Sequence, residues 1–119
     1  MPESQAPLTA AMFHVLLSLA DGEKHGYAIL KEVEEQTSGE VLLSTGTLYG
    51  IMKRLLSEGL IAESRHRPVE GDDQRRRYYR LTDPGIAALA AEAEQMRRDA
   101  RMVTQRLSGT RPAGAPRPA

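Results

Sequence analysis

The residues best suited to chemistry lie mid-chain, where small, hydroxyl-bearing and basic side chains share one helical face. From Ser44 to Gly59, the residues Leu48, Ile51, Met52 and Leu55 recur at the spacing of an apolar stripe. With Leu48 at the centre of that stripe, the opposite face carries Gly46, Gly50, Lys53 and Ser57, flanked by Thr47, Tyr49 and Arg54. A glycine inside a helix costs about 1 kcal/mol relative to Ala, but it lets the backbone come close to another surface. Lys53 and Arg54 can reach phosphates or base edges. Ser44, Thr45 and Thr47 put hydroxyl and amide donors at the helix start, where anions are favoured. Such a face suits a groove about 12 Å wide, the major groove of duplex DNA. The plainer alternative is a solvated face with a capping Ser.

Two further stretches carry charge or polarity where an anionic partner could use it. Arg75, Arg76 and Arg77 are consecutive, and on a hairpin they could lie along a phosphate backbone or enter a minor groove. Asp72 and Asp73 stand close by and would balance them if they were only surface charge. The run Lys24-His25-Gly26-Tyr27 opens another helix. Lys24 or Tyr27 could touch phosphate there; equally, Tyr27 could pack and His25 could cap. Catalysis and metal binding find no support. His14, His25 and His66 lack ligand spacing, no nucleophile–base pattern is visible, and no glycine-rich phosphate loop occurs. No enzyme activity and no cofactor are expected.

Charge distribution sharpens this reading. The 119 residues carry sixteen basic and sixteen acidic side chains, so the formal net charge is zero. Residues 1–43 hold two Lys against seven acids, net −5, whereas residues 44–82 hold eight basic residues against five acids, net +3. Attraction to phosphate follows local potential, so a basic stripe on a neutral protein can still bind. Zero net charge also supports a rival: a winged-helix protein-interaction module that never binds DNA. Without Cys there is no disulfide scaffold and no Cys-based zinc site. No apolar run nears the roughly 20 residues that span a membrane, and residues 1–9 do not resemble a signal peptide. A cytoplasmic protein is expected.

The elements that must position these residues follow from periodicity. Residues 1–7 read as a flexible arm. Leu8, Met12, Val15, Leu16 and Leu19 make a first helix, ended by Asp21-Gly22. Ile29, Leu30, Val33 and Thr37 make a second, stopped at Ser38-Gly39. The third starts at a cap on Ser44 or Thr45 and closes at Gly59. Strands are expected over residues 60–67 and 75–81, a hairpin too small to stand alone. Thr82-Asp83-Pro84 starts a fourth helix, in which Ile86, Leu89, Ala93, Met96, Ala100, Val103 and Leu107 step by three and four. That is a heptad seam, longer than three short helices and a hairpin can cover, so a second copy of the chain is its expected cover, with Phe13 of the first helix joining the interface. Residues 108–119 read as a disordered tail. Three helices and a hairpin form a winged helix-turn-helix. The expected architecture is therefore mainly α with a small β-hairpin: a winged helix-turn-helix at 8–82 and a long dimerisation helix at 83–107.

The ordered set Leu8-Thr9, His25-Gly26-Tyr27-Ala28-Ile29, Gly46-Thr47-Leu48-Tyr49, Arg54-Leu55, Glu58-Gly59-Leu60-Ile61, Arg75-Arg76-Arg77-Tyr78-Tyr79-Arg80-Leu81-Thr82 and Gly85 closely resembles the PadR family of bacterial transcriptional regulators. The resemblance covers about residues 8–95. It implies a homodimer formed through C-terminal helices and, usually, repression of nearby genes from a pseudo-palindromic operator. It also implies that residues 45–54 form the recognition helix, that Tyr27 and Tyr49 meet DNA, and that Arg75 to Arg77 lie on the wing. The single C-terminal helix resembles the subfamily with the short C-terminal domain. Family members with a flat drug-binding pore stack ligands on Trp, and this chain has no Trp. A small-molecule effector, of chemistry the sequence leaves open, would be sought near Phe13, His14 and Met96.

Overall fold

The structure, a computed structural model, describes residues 8–64 and 77–109. In chain order the elements are α1 (Ala10–Ser18), β1 (Lys24–His25), α2 (Gly26–Gln36), α3 (Thr45–Ser57), β2 (Ile61–Glu63), β3 (Tyr78–Leu81) and α4 (Asp83–Gly109). The chain divides into two units, Met1–Leu89 and Ala90–Ala119.

Each short helix is delimited by side chains the sequence supplies locally. Thr9 caps α1 by accepting the Met12 amide at 3.1 Å, so the helix begins two residues after Leu8. His25 caps α2 through Nδ1, which accepts the Ala28 amide at 3.2 Å. Ser44 caps α3, its Oγ accepting the Thr47 amide at 3.1 Å. A cap of this kind satisfies a backbone donor that the helix itself cannot. At the far end of α3, Gly59 takes φ +75°, and its amide and that of Leu60 fold back onto the Leu56 and Leu55 carbonyls. This is a Schellman closure, and the apolar pair Leu55 and Leu60 is buried with it. Leu60 is thereby part of the helix end, and β2 begins one residue later than the expected strand.

The wing differs from the expected hairpin. It is a three-stranded antiparallel sheet in the order β1-β3-β2. The extra strand is Lys24–His25, which pairs with Tyr79 and Tyr78. A strand of two residues shows no alternation of its own; it forms because β3 offers it a free edge and the His25 ring meets the Tyr78 ring edge-on at 5.4 Å. Within β3 successive side chains point to opposite faces, so Tyr79 is buried while Arg80 is exposed. Burial, with the Glu63 carboxylate as a lesser cause, raises the Tyr79 phenol above its ordinary pKa. Ser64 and Arg77, expected in the strands, lie just outside them, and residues 65–67 and 75–76 of the expected strands lie outside the described residues.

The core of the first unit gathers Met12, Val15, Leu16 and Leu19 from α1, Ile29 and Val33 from α2, Leu48, Met52 and Leu55 from α3, and Leu60, Ile61 and Tyr79. Gln36 ties α2 to α1 by donating to the His14 carbonyl at 2.8 Å, and its amide lies 3.2 Å from His14 Nδ1. The start of α4 belongs to this unit. Thr82 caps it, accepting the Gly85 amide at 3.1 Å and donating to the Gly59 carbonyl at 2.6 Å. Ala88 and Leu89 pack on the core. In the second unit the helix continues to Gly109, two residues past the expected end, with Ser108 donating to the Thr104 carbonyl at 2.7 Å. Met96, Val103 and Leu107 are 47%, 55% and 56% exposed, so the described residues leave that part of the seam uncovered.

Candidate nucleic-acid interface

Burial of Leu48, Met52 and Leu55 turns the rest of α3 outward. Thr45, Gly46, Thr47, Tyr49, Gly50, Lys53 and Ser57 are all exposed. The two glycines have no packing role. A Cβ built on either would meet nothing within 4 Å among the described residues, and neither has positive φ. Neither contact nor backbone conformation requires glycine here. Ser44 is committed to the cap and also donates to the Thr47 hydroxyl at 3.0 Å.

The start of α2 converges on the start of α3. Gly26, Tyr27, Leu30, Thr45, Leu48 and Tyr49 line a cleft of about 160 Å³ between them. Leu30 and Leu48 supply apolar lining, and Thr45 and Tyr49 add hydroxyls. Tyr27 is 62% exposed and Tyr49 50%, so both rings present a large polar-tipped surface on this side. The structure thus brings Tyr27, Thr45 and Tyr49 together, with Thr47, Gly50 and Lys53 further along the same exposed face of α3.

Other expected site residues are engaged elsewhere. The Lys24 ammonium donates to the Ser18 carbonyl at 2.7 Å and pairs with Asp21. The hydrogen bond from Lys24 to the Asp21 carboxylate, and the charge behind it, hold that carboxyl below the usual carboxylate range. Lys24 therefore fastens the α1–β1 turn and does not line the cleft. Arg54 is paired with Glu58 at 2.8 Å. Arg77, at the root of the wing, donates to Glu63 at 2.9 Å, and this bond raises its guanidinium pKa still further. Arg75 and Arg76 lie outside the described residues. Of the expected interface positions, Phe13 is half-buried with its ring edge-on to His14 at 5.2 Å. Leu89 packs on its own protomer's core while Ile86 is 53% exposed. Ala93 is half-buried and Ala100 exposed. Sequence reasoning missed the part played by Gly26, which is buried beneath the Tyr49 ring; a glycine in the first turn of a helix, without need of positive φ, was its only signal.

Among the described residues no group of three or more His, Cys, Asp or Glu could hold a metal ion, and no helix is long and apolar enough to cross a membrane.

Residues 15–91 match the Transcriptional regulator PadR-like family. The chain belongs to that family. The matched span runs from α1 through the sheet into α4 and so contains the whole described cleft. The Mycobacterium tuberculosis transcriptional regulator Rv3488 is 36% identical over 94 residues, which cover 79% of this chain and 82% of that protein. An uncharacterised 37.1 kDa protein in the Streptomyces fradiae transposon TN4556 is 42% identical over 88 residues, 74% of this chain but only 23% of that protein. The chain thus matches under a quarter of the transposon protein's length. Bacillus subtilis PadR, in a crystal structure with operator DNA, superposes with a TM-score of 0.61 at 25% identity, covering 71% of this chain and 47% of that one. PadR-like proteins regulate transcription and are not enzymes, and the winged fold with a long C-terminal helix is the architecture they share with this chain.

Proposed function

We propose that this chain is a homodimeric repressor, acting in the cytoplasm, that places α3 of each protomer in successive major grooves of a pseudo-palindromic operator. One observation carries the reading: α3 has a face of Gly46, Gly50, Lys53 and Thr47 whose glycines no contact among the described residues requires. Glycines that weaken a helix by about 1 kcal/mol each make sense where the backbone must approach a partner. The operator-bound PadR structure points to duplex DNA as that partner. On this reading Tyr27, Tyr49 and Thr45 meet the backbone or base edges, Lys53 neutralises a phosphate, and Arg75 and Arg76 extend the contact along the wing. The uncovered seam at Met96, Val103 and Leu107 is closed by the second protomer. The two recognition helices then lie about 34 Å apart, one turn of the duplex.

A second reading, the protein-interaction module, draws on the pairing of Arg54 with Glu58 and Arg77 with Glu63, which lowers the positive potential of this side. Selection from a random-sequence duplex pool separates the two. A DNA reader enriches a two-fold symmetric sequence, and binding to it weakens linearly with the logarithm of salt concentration. Lys53→Ala should reduce that slope by about 0.9 per protomer, the value for one phosphate contact. Equal affinity for scrambled duplex would end the operator reading, and an unchanged slope would remove Lys53 from the phosphates.

A further inference from the structure

We infer that Gly26 is a positioning residue for the interface: its missing side chain makes room for the Tyr49 phenol and so sets where the Tyr49 hydroxyl stands. The inference rests on the reading that α3 meets DNA.

Gly26 is the first residue of α2, directly after the His25 cap. Glycine is a poorer helix former than Ala there, and no positive φ demands it. What occupies the place of its side chain is a residue of another helix. A Cβ on Gly26 would stand 3.0 Å from the Tyr49 hydroxyl oxygen, 3.5 Å from Cζ and 3.6 Å from Cε1. The last two are ordinary contacts; only the hydroxyl is too close. The phenol thus lies across the buried start of α2, against the cleft that Tyr27, Leu30, Thr45 and Leu48 complete.

The character of the contact decides what substitution does. The crowded atom is the tip of a half-exposed side chain, which can swing a few tenths of an ångström without disturbing the core. Gly26→Ala should therefore fold, and the added methyl should support the first turn of α2. Its cost falls on the Tyr49 hydroxyl, which must move away from α2. Glycines at 46 and 50 face open space, and a methyl there would meet the partner directly. Gly26 acts at one remove, through Tyr49.

The test is a double-mutant cycle on the full chain, with the duplex that the wild-type protein selects from a random pool as probe. Gly26→Ala is expected to weaken binding about three- to tenfold, the size of one misplaced polar contact, with no loss of melting temperature. In a Tyr49→Phe background the crowded oxygen is gone, so the same substitution should cost less than about twofold. In the free protein, the Tyr49 ring resonances should shift in Gly26→Ala. An equal loss in both backgrounds would overturn the inference, because Gly26 would then act through its own backbone or through the fold. Wild-type binding by Gly26→Ala would overturn it too. If Tyr49→Ala binds as tightly as wild type, Tyr49 is not at the DNA and the inference falls with it. If the wild-type protein enriches no duplex at all, it is the DNA-binding reading that has failed.

Discussion

Gly85→Ala should be among the most damaging single substitutions in this chain, although it adds only a methyl group in a helix. A Cβ at Gly85 would lie 1.9 Å from the Leu60 carbonyl oxygen and 2.9 Å from the Leu60 carbonyl carbon. Both are backbone atoms at the Schellman closure of α3, so no side chain can swing aside. An ordinary carbon–oxygen contact is about 3.3 Å, so the first turn of α4 must withdraw by roughly 1.4 Å, the difference between 3.3 and 1.9 Å. At that distance Thr82 loses its bonds to the end of α3: its amide donates to the Leu60 carbonyl at 3.1 Å and its hydroxyl to the Gly59 carbonyl at 2.6 Å. Overpacking costs about 1–3 kcal/mol, and two lost hydrogen bonds about 1 kcal/mol each. The better helix propensity of Ala returns about 1 kcal/mol. The net is about 2–4 kcal/mol, a large part of the roughly 5–15 kcal/mol that holds a domain folded. It corresponds to a fall in melting temperature of roughly 10–30 °C. Thermal unfolding followed by circular dichroism, at one fixed protein concentration because the proposed pairing would add to apparent stability, measures it. Gly46→Ala is the control: the same methyl meets open space, so stability should rise by up to about 1 kcal/mol. Equal melting temperatures for Gly85→Ala and wild type would refute the steric argument.

Other consequences follow from caps, the seam and burial. Ser44→Ala removes the acceptor for the Thr47 amide and should cost about 1 kcal/mol in urea unfolding. Replacing Met96 and Val103 together by Glu should yield monomers in sedimentation while leaving the protomer's helix content intact, because both side chains are about half-exposed before any pairing; a persistent dimer would move the interface elsewhere. The raised Tyr79 pKa gives an alkaline signature. Above pH 10 the unfolded chain's phenol ionises while the folded one keeps its proton, so stability present below pH 10 falls as pH rises toward the folded value. Tyr79→Phe should flatten that decline, and an equally steep decline would place the responsible group elsewhere.

Local signals in the sequence were enough for the helices. The apolar periods of α1, α2 and α3, the Ser44 cap, the Gly59 stop and the Thr82-Asp83-Pro84 start each involve residues within one or two turns of one another, so short-range chemistry decides them. The same is true of the outward face of α3: once Leu48, Met52 and Leu55 face the core, Gly46, Gly50 and Lys53 must face away. What tertiary structure decided involves groups far apart in the chain. β1 is a strand only because β3, more than fifty residues later, offers it hydrogen-bonding partners. Arg77 reads as a free cation until Glu63, fourteen residues earlier, arrives across the sheet. Four glycines within helices, none with positive φ, divide only in three dimensions. Gly85 is pressed against backbone, Gly26 lies under a tyrosine, and Gly46 and Gly50 open to solvent. A missing side chain has no period and no charge, so its meaning is set by whatever fills, or leaves empty, the space beside it.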